Sequence, residues 1–228
     1  HSPFTTLRRE LRKFITINDE ATATLDISHF HPTLIANEII RAGKKDDGLL
    51  DDCTNNNFYN KISNELEAGS DLMEDFNLPP FPHHLRVKPR DRAKDAVMAY
   101  LNSGASKKPR NPERAGVKAA MIKNYPNVEA HITEEKELLK NVAKQINSRD
   151  RTARMTVGKL YSQKLQKLES ELYIDRFYMT LAGRDNIPSF TIHDSITVPQ
   201  NSRYHARTLL AKICQTMGLR AADDDGEL

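Results

Sequence analysis

The sequence predicts an α+β fold in which a small antiparallel sheet packs against helices. Two short β-branched runs, residues 22–27 and 190–198, lie far apart in a chain of 228 residues. Between them, apolar residues recur mostly at the spacing of helices. We therefore expect helices to cover one face of the sheet and the stretch between the two runs to be mainly helical.

The later run, residues 190–198, alternates apolar and polar side chains as a half-buried strand does. In unbroken alternation Asp194 would fall on the apolar side with Ile192 and Ile196, where an ionised carboxylate is costly without a positive partner. Either the strand breaks at His193-Asp194 into a tight hairpin, or the carboxylate meets a cation such as a metal ion. An exposed hairpin tip without a function would give the same pattern.

The earlier run ends on a second carboxylate, Asp26, and a helical pattern follows over residues 32–42. Asp26 thus lies where a strand gives way to a helix, a common location for a catalytic group on a rigid scaffold. Two carboxylates on neighbouring strand ends can hold two divalent ions about 4 Å apart, as in-line phosphoryl transfer requires. Oxygen ligands suit Mg²⁺ or Mn²⁺.

The other elements follow from the same patterns. Residues 43–57 resemble a loop, residues 78–82 contain three prolines that exclude a helix, and the acidic tail at 221–228 is expected to be disordered. The expected helices span residues 1–18, 58–66, 90–102, 113–124, 134–146, 152–181 and 201–217.

Charge and cysteine content limit the surroundings of the protein. The net charge is only +3, but basic residues are concentrated between residues 86 and 114, which favours a polyanion at that face. A solvated helix face would give the same stripe. Cys53 and Cys214 are isolated thiols, so we expect the cytoplasm or another reducing intracellular compartment. No segment resembles a signal peptide or a membrane span, and we expect no membrane partner.

The helix at residues 90–102 carries a second chemical pattern. Arg90, Lys94 and Met98 recur every four residues and therefore share one face. Two cations beside a flat apolar side chain suit a nucleoside triphosphate, since Arg and Lys bind phosphates and Met packs beside a base. A surface helix whose basic side chains point to water would look the same.

Taken in order, these three blocks resemble motifs A, B and C of the family A DNA polymerases and the related single-subunit, phage-type RNA polymerases. The blocks are Asp26 after a strand, the Arg90-Lys94-Met98 helix, and His193-Asp194 on a late hairpin. The interval between the two aspartates fits a palm with inserted fingers. Three weaker matches are residues 57–59, 125–128 and 166–170.

The resemblance implies residues 1–56 as an N-terminal palm part, 57–149 as fingers, and 150–220 as a C-terminal palm part. It also implies a nucleotidyltransferase in which Asp26 and Asp194 hold two Mg²⁺ (or Mn²⁺) ions and act on a primer 3′-hydroxyl. Lys94 would bind the triphosphate together with Arg90 and protonate the leaving group. The partners would be nucleoside triphosphates and a primer–template. The residues expected to contact nucleic acid are His193, Arg86, Lys88, Lys107, Lys108 and Arg110.

The sequence departs from the family at two nucleotide-binding positions. Asn102 stands where an aromatic usually follows four residues after Met98. His31 stands where DNA polymerases have the Glu that excludes a 2′-hydroxyl, and a bulky His can also exclude ribose, which favours DNA as the product. Met98 and the His193-Asp194 pair look more like the RNA polymerases, so a phage-type RNA polymerase core stays open.

Two further alternatives stay open. One is a catalytically degenerate nucleic-acid-binding module that keeps the palm shape, and the other is an unrelated α-rich domain. Because few residues precede Asp26, we expect either a core excised from a longer polymerase or a minimal polymerase whose thumb domain or processivity partner is supplied separately. Loss of a thumb predicts poor processivity, since phosphate contacts supply most of the affinity for nucleic acid.

Overall fold

The structure, a computed structural model, confirms the α+β class with one four-stranded antiparallel sheet. It describes residues 11, 14–68, 88–104, 111–150, 152–192, 194–223 and 226–228. The chain divides into two compact units. Unit 1 comprises His1–Asn37, Cys53–Asn55 and Leu165–Leu228, and unit 2 comprises Glu38–Asp52 and Asn56–Lys164.

The elements are numbered in chain order. The strands are β1 Thr16–Ile17, β2 Glu20–Asp26, β3 Phe190–Ile192, β4 Ser195–Pro199, β5 Ala222–Asp223 and β6 Gly226–Glu227. The α-helices are α1 Phe30–Arg41, α2 Leu49–Thr54, α3 Phe58–Ala68, α4 Pro89–Leu101, α5 Pro112–Asn124, α6 Pro126–Arg149, α7 Val157–Ser170 and α8 Arg203–Thr216. A π-helix spans Glu171–Arg184, and a 3₁₀ turn spans Gln200–Ser202. In the part of the chain that is described, no helix has the length and apolar character needed to cross a bilayer.

The sheet of unit 1 has the strand order β1-β2-β4-β3. β4 lies between two strands, so both of its edges are paired, and all five of its residues are buried. The strand predicted over residues 190–198 breaks into the β3–β4 hairpin, with Ile192 opposite Ser195. The Ser195 hydroxyl donates to the Ile192 carbonyl at 2.7 Å and helps to close the turn. The sequence left open whether the strand breaks at residues 193–194 or continues with Asp194 on its apolar side. The structure shows that the strand breaks.

The helix expected at residues 152–181 begins later, continues longer and changes type. α7 passes directly into the π-helix, whose last turn includes the hydrogen bond from the Asp185 N–H to the Thr180 carbonyl at 3.0 Å. Leu172, Tyr173 and Phe177 of the π-helix are fully buried. They join Leu25 of β2 and other apolar residues in the core of unit 1.

The acidic tail was predicted to be disordered, and this prediction is wrong for the described residues. β5 and β6 form a small hairpin in which Asp223 is buried and accepts a hydrogen bond from Arg207 at 2.8 Å. The Ala222 carbonyl also accepts the N–H of Ser28 at 2.8 Å. Two features that stabilise the tail could not be predicted from its acidic composition. Ala221 and Ala222 are buried, and Arg207 neutralises the buried carboxylate.

Unit 2 is helical, with two differences from the prediction. The expected loop at residues 43–57 contains α2, which forms because Leu49 and Leu50 are buried. α6 begins at Pro126 rather than near residue 134, since proline at the first helical position costs no hydrogen bond. In unit 1, the helix predicted over residues 1–18 is wrong at its end, where Thr16–Ile17 form β1 because they pair with Glu20 and Ala21. Residues 1–10 of that helix, and the prediction for residues 78–82, lie outside the described residues.

A buried polar network lies inside unit 2. The Lys136 ammonium group donates to the Tyr100 carbonyl at 2.9 Å and lies 4.7 Å and 5.3 Å from the ring centres of Tyr100 and Tyr161. The Tyr100 hydroxyl donates to the Glu129 carboxylate at 3.1 Å. Burial, with the nearby charge of Lys118, lowers the pKa of Lys136 to about 8. Tyr100 is buried and is therefore a core residue. The Lys136 amine beside it loses its proton at a lower pH than an ordinary lysine does.

A backbone contact in unit 2 requires glycine at the start of α7. A Cβ atom added to Gly158 would collide with the backbone carbonyl of Asn102. Backbone cannot move aside as the tip of a flexible side chain can. The absence of a side chain at this position therefore permits the close approach of two chain segments.

Gly158→Ala is expected to lower the free energy of unfolding by about 1–3 kcal/mol, because the added methyl overpacks against backbone. Gly183→Ala is the matched control, since it lies in the π-helix with open space around the added Cβ. That change is expected to be neutral or to stabilise by up to about 1 kcal/mol. Urea denaturation of both variants measures the difference, and equal effects would contradict the close contact.

Lys136 predicts a pH dependence of stability. Because its pKa is about 8 in the fold and 10.5 ordinarily, the unfolded chain binds more protons between these values. Stability therefore rises as the pH increases from about 8 to about 10.5, by about 3 kcal/mol at most from this residue. Lys136→Met is expected to remove this rise, and Lys144→Met, an exposed position on the same helix, to keep it. Urea denaturation at pH 8 and at pH 10.5 measures this change. The prediction fails if the free energy of unfolding changes equally with pH in the two variants.

Candidate functional site

Asp26 and Asp194 lie at the same end of neighbouring strands. β2 and β4 are antiparallel with Asp26 opposite Ser195, the residue that follows Asp194. Residues directly opposite in such a pair have Cβ atoms about 5 Å apart. Asp26 is exposed and Asp194 is half-buried. The structure thus places the two aspartates on which the sequence interpretation depends at the same edge of the sheet.

The Tyr173 hydroxyl lies near both carboxylates. Burial raises the pKa of its phenol well above the ordinary value, and the negative charges of Asp26 and Asp194 raise it further. Both carboxylates are therefore within electrostatic reach of one hydroxyl group. The same oxygen accepts the Ile27 N–H at 2.8 Å, which fixes the backbone immediately after Asp26.

The corner between β2 and α1 is held at further points. The Thr33 hydroxyl donates to the Ser28 carbonyl at 3.0 Å, and the Ser28 N–H donates to the Ala222 carbonyl. His29 has a φ of 53°, a left-handed backbone that is unfavourable for any residue other than glycine. Such a conformation persists only where surrounding contacts fix it. Asp26 therefore precedes a well-defined backbone.

His31, predicted to contact the nucleotide, forms a side-chain pair in unit 1. Its Nε2 atom lies 3.1 Å from a carboxylate oxygen of Glu169, and both side chains are partly buried. The Phe30 ring lies 5.9 Å from the imidazole, centre to centre. The His31 ring is thus held in one orientation.

The remaining nucleotide-binding candidates lie on or next to α4 in unit 2. Arg90 donates to the Asn56 side chain at 2.7 Å, and its guanidinium lies 5.7 Å from the Tyr59 ring centre. Lys94 is exposed and Met98 is half-buried, so the three residues follow one another along the helix as the spacing predicts.

Two other predicted contacts can be located. Asn102 ends α4 as an exposed residue whose N–H bonds to the Met98 carbonyl at 3.0 Å, and Lys88 is an exposed residue just before the helix. Five residues predicted to contact nucleic acid lie outside the described part of the chain: His193, Arg86, Lys107, Lys108 and Arg110.

The sequence pointed to Asp26, Asp194 and His31 but not to two residues that hold them: Tyr173, which bonds to Ile27 next to Asp26, and Glu169, which pairs with His31. Tyr173 and Phe177 are four residues apart, which was a signal of a shared buried face. Nothing local to Tyr173 identifies Ile27 as its partner, since the two residues are 146 positions apart. Glu169 lies in the polar segment 166–170, but its pairing with His31 depends on the fold.

The donor atoms at the strand ends suit a hard cation. Asp26 and Asp194 supply carboxylate oxygens, the ligand type that Mg²⁺ and Mn²⁺ prefer. The exposure of Asp26 leaves room for water or substrate to complete a coordination shell. The residues present therefore fit the predicted ions.

Comparison with protein-family models and with curated proteins finds no match to this sequence. The function has to be inferred from the residues themselves.

Tyr173→Phe is expected to lower the free energy of unfolding by about 1–3 kcal/mol, because it leaves the buried Ile27 N–H without its acceptor. Tyr161→Phe is the matched control. Its hydroxyl is equally buried but has no hydrogen-bond partner among the described residues. The control is therefore expected to be neutral or stabilising. Thermal and urea denaturation measure both changes, and equal losses would show that the Tyr173 hydroxyl does not brace this corner.

Proposed function

We propose that the chain is the palm and fingers core of a nucleic-acid polymerase, a nucleotidyltransferase that adds nucleotides to a primer 3′-hydroxyl. The observation that carries this proposal is the strand register that places Asp26 opposite Ser195 and hence beside Asp194. Two carboxylates at adjacent strand ends, on a backbone fixed by Tyr173, form the rigid scaffold that metal-assisted phosphoryl transfer needs. In this proposal the palm corresponds to unit 1 and the fingers to unit 2.

Asp26 and Asp194 would hold two Mg²⁺ or Mn²⁺ ions. When bound, these ions lower the pKa of the attacking hydroxyl and neutralise charge on the leaving pyrophosphate. The contribution of the chain is to fix the carboxylates before substrate arrives. The Ile27–Tyr173 and Ser28–Ala222 hydrogen bonds hold the backbone that follows Asp26, and the Ser195–Ile192 hydrogen bond closes the turn that contains Asp194.

Arg90, Lys94 and Met98 would receive the nucleoside triphosphate. Lys94 is exposed and one helical turn from Arg90, so both cations can reach neighbouring phosphates. Lys94 would also donate the proton that the leaving pyrophosphate takes up. Arg90 would exchange its bond to Asn56 for a stronger, charge-assisted bond to phosphate.

The pairing of His31 with Glu169 favours DNA as the product. A fixed imidazole five residues after Asp26 can exclude a 2′-hydroxyl by its bulk, whereas a mobile one would yield. A primer–template is the nucleic-acid partner of the proposed polymerase. A phage-type RNA polymerase core is the alternative that differs only in the sugar.

One observation favours a second candidate function. Asn102, at the end of α4, is exposed and short where the polymerase families have an aromatic side chain. An amide cannot stack on a base as a ring does. A non-catalytic nucleic-acid-binding module with a palm fold is therefore the competing function.

Extension of a primed template in Mg²⁺ or Mn²⁺ tests the proposal. Asp26→Asn and Asp194→Asn are each expected to reduce incorporation by about a thousandfold or more, because each removes a negative metal ligand at similar volume. Asp175→Asn, an exposed aspartate on the π-helix, is the control and is expected to retain activity. Offering dNTPs against NTPs determines the sugar in the same assay.

The outcome against catalysis is equally distinct. If neither the parent nor any variant extends the primer, yet all bind primed template with equal affinity, the binding-module function replaces the polymerase function. Binding is read by fluorescence anisotropy over a range of salt concentrations, since phosphate contacts weaken as salt increases.

A further inference from the structure

A second group of ionisable side chains lies within unit 2, away from the two aspartates in sequence. Glu38 lies on α1, and His131 and Glu135 are four residues apart on α6, so the latter two share one helix face. One potential ligand atom from each of the three residues lies within 4.8 Å of the others. This Glu38 cluster thus gathers one imidazole nitrogen and two carboxylate oxygens.

His131 is the informative member of the Glu38 cluster. The residue is 6% exposed, and neither ring nitrogen has a hydrogen-bond partner among the described residues. Its Nε2 atom lies 4.0 Å from a Glu38 carboxylate oxygen, too far for a hydrogen bond but directed at the cluster. A buried polar group without a partner costs free energy and calls for an explanation.

Tyr161 is a second buried polar group beside the same carboxylates. It is fully buried, and its hydroxyl also has no hydrogen-bond partner among the described residues. Burial and the charges of Glu38 and Glu135 raise its pKa, which places the hydroxyl within electrostatic reach of both. Two buried polar side chains near the Glu38 cluster, His131 and Tyr161, therefore have no hydrogen-bond partner among the described residues.

Lys164 forms salt bridges with both carboxylates of the Glu38 cluster. Its ammonium group lies 2.5 Å from Glu38 and 2.7 Å from Glu135. It neutralises one of the two negative charges and gives His131 no bond. The side chain is 30% exposed, so a flexible lysine can withdraw its charged end to water.

We propose that Glu38, His131 and Glu135 bind a divalent transition-metal ion of the Zn²⁺ class, for which Lys164 is an internal competitor. The donor set explains the choice of ion. One imidazole nitrogen with two carboxylate oxygens suits Zn²⁺ or Co²⁺, whereas Mg²⁺ and Ca²⁺ prefer oxygen ligands alone. The ion would take the position between the carboxylates, and His131 would gain the partner that it lacks.

Competition between Lys164 and the metal ion predicts a specific effect on metal affinity. Metal binding must displace the Lys164 ammonium, so removal of that charge strengthens binding. A lysine that served only to stabilise the fold would have no such effect on metal affinity. The site is also independent of the proposed polymerase chemistry, because none of its residues belongs to the Asp26–Asp194 pair.

Titration of Co²⁺, followed by visible absorbance and by displacement with Zn²⁺, tests the proposal. The full chain carries Asp26→Asn and Asp194→Asn, so that ions at the strand ends do not contribute. One equivalent of Co²⁺ is expected to bind, and Lys164→Met is expected to raise the affinity by at least about tenfold. In the Lys164→Met background, His131→Phe and Glu135→Gln are each expected to lower it by about a hundredfold.

His205→Phe is the matched control, since His205 is an exposed imidazole that lies 2.8 Å from Asp185 in unit 1. It is expected to leave the titration unchanged. The proposal is overturned if the Lys164→Met protein binds no Co²⁺ saturably, or if binding survives both His131→Phe and Glu135→Gln. Far-UV circular dichroism confirms that each variant is folded. Glu135→Gln, at a partly buried position, provides the result if the buried His131→Phe change prevents folding.

Discussion

The pairing of β2 with β4 is the interaction on which the rest of the molecule depends. It joins residues 22–26 to residues 195–199 in one antiparallel ladder, although most of the chain separates them. Closing so long a loop costs conformational entropy, which the ladder and the buried core of unit 1 must offset. The same pairing sets Asp26 beside Asp194. Stability of the sheet and juxtaposition of the carboxylates therefore have one origin.

The sequence could indicate features that depend on neighbouring residues. Alternation around Ile192 and Ile196 indicated strands, and Pro89 with the four-residue spacing of Arg90 and Lys94 indicated α4 and its face. Contacts between residues far apart in the chain could not be predicted from the sequence. The Ile27–Tyr173 hydrogen bond is an example, because either residue alone has the pattern of an ordinary core side chain.

Composition also misled where a single contact decides the structure. The tail reads as an acidic, solvated segment, yet Arg207 neutralises Asp223 and lets the hairpin pack. Lys136 and Lys164 show that the surroundings of a lysine, and not the sequence pattern, determine the direction in which its pKa shifts. Burial lowers the pKa of Lys136, whereas for Lys164 hydrogen bonds to two glutamates outweigh burial and raise the pKa. Both residues are plain lysines in a helical pattern.

The division of the chain has a consequence for biosynthesis. Unit 1 is built from residues up to Asn37 and from Leu165 onward, with a short contribution at Cys53–Asn55, whereas most of unit 2 is continuous. On a ribosome β2 must wait for its partner β4, because the 169 residues after Asp26, up to Ser195 (195 − 26), have to be synthesised first. The helices of unit 2 have mostly local contacts and can form during that interval. The half-made protein would thus present an unpaired β2 edge, the stage at which chaperones would matter most.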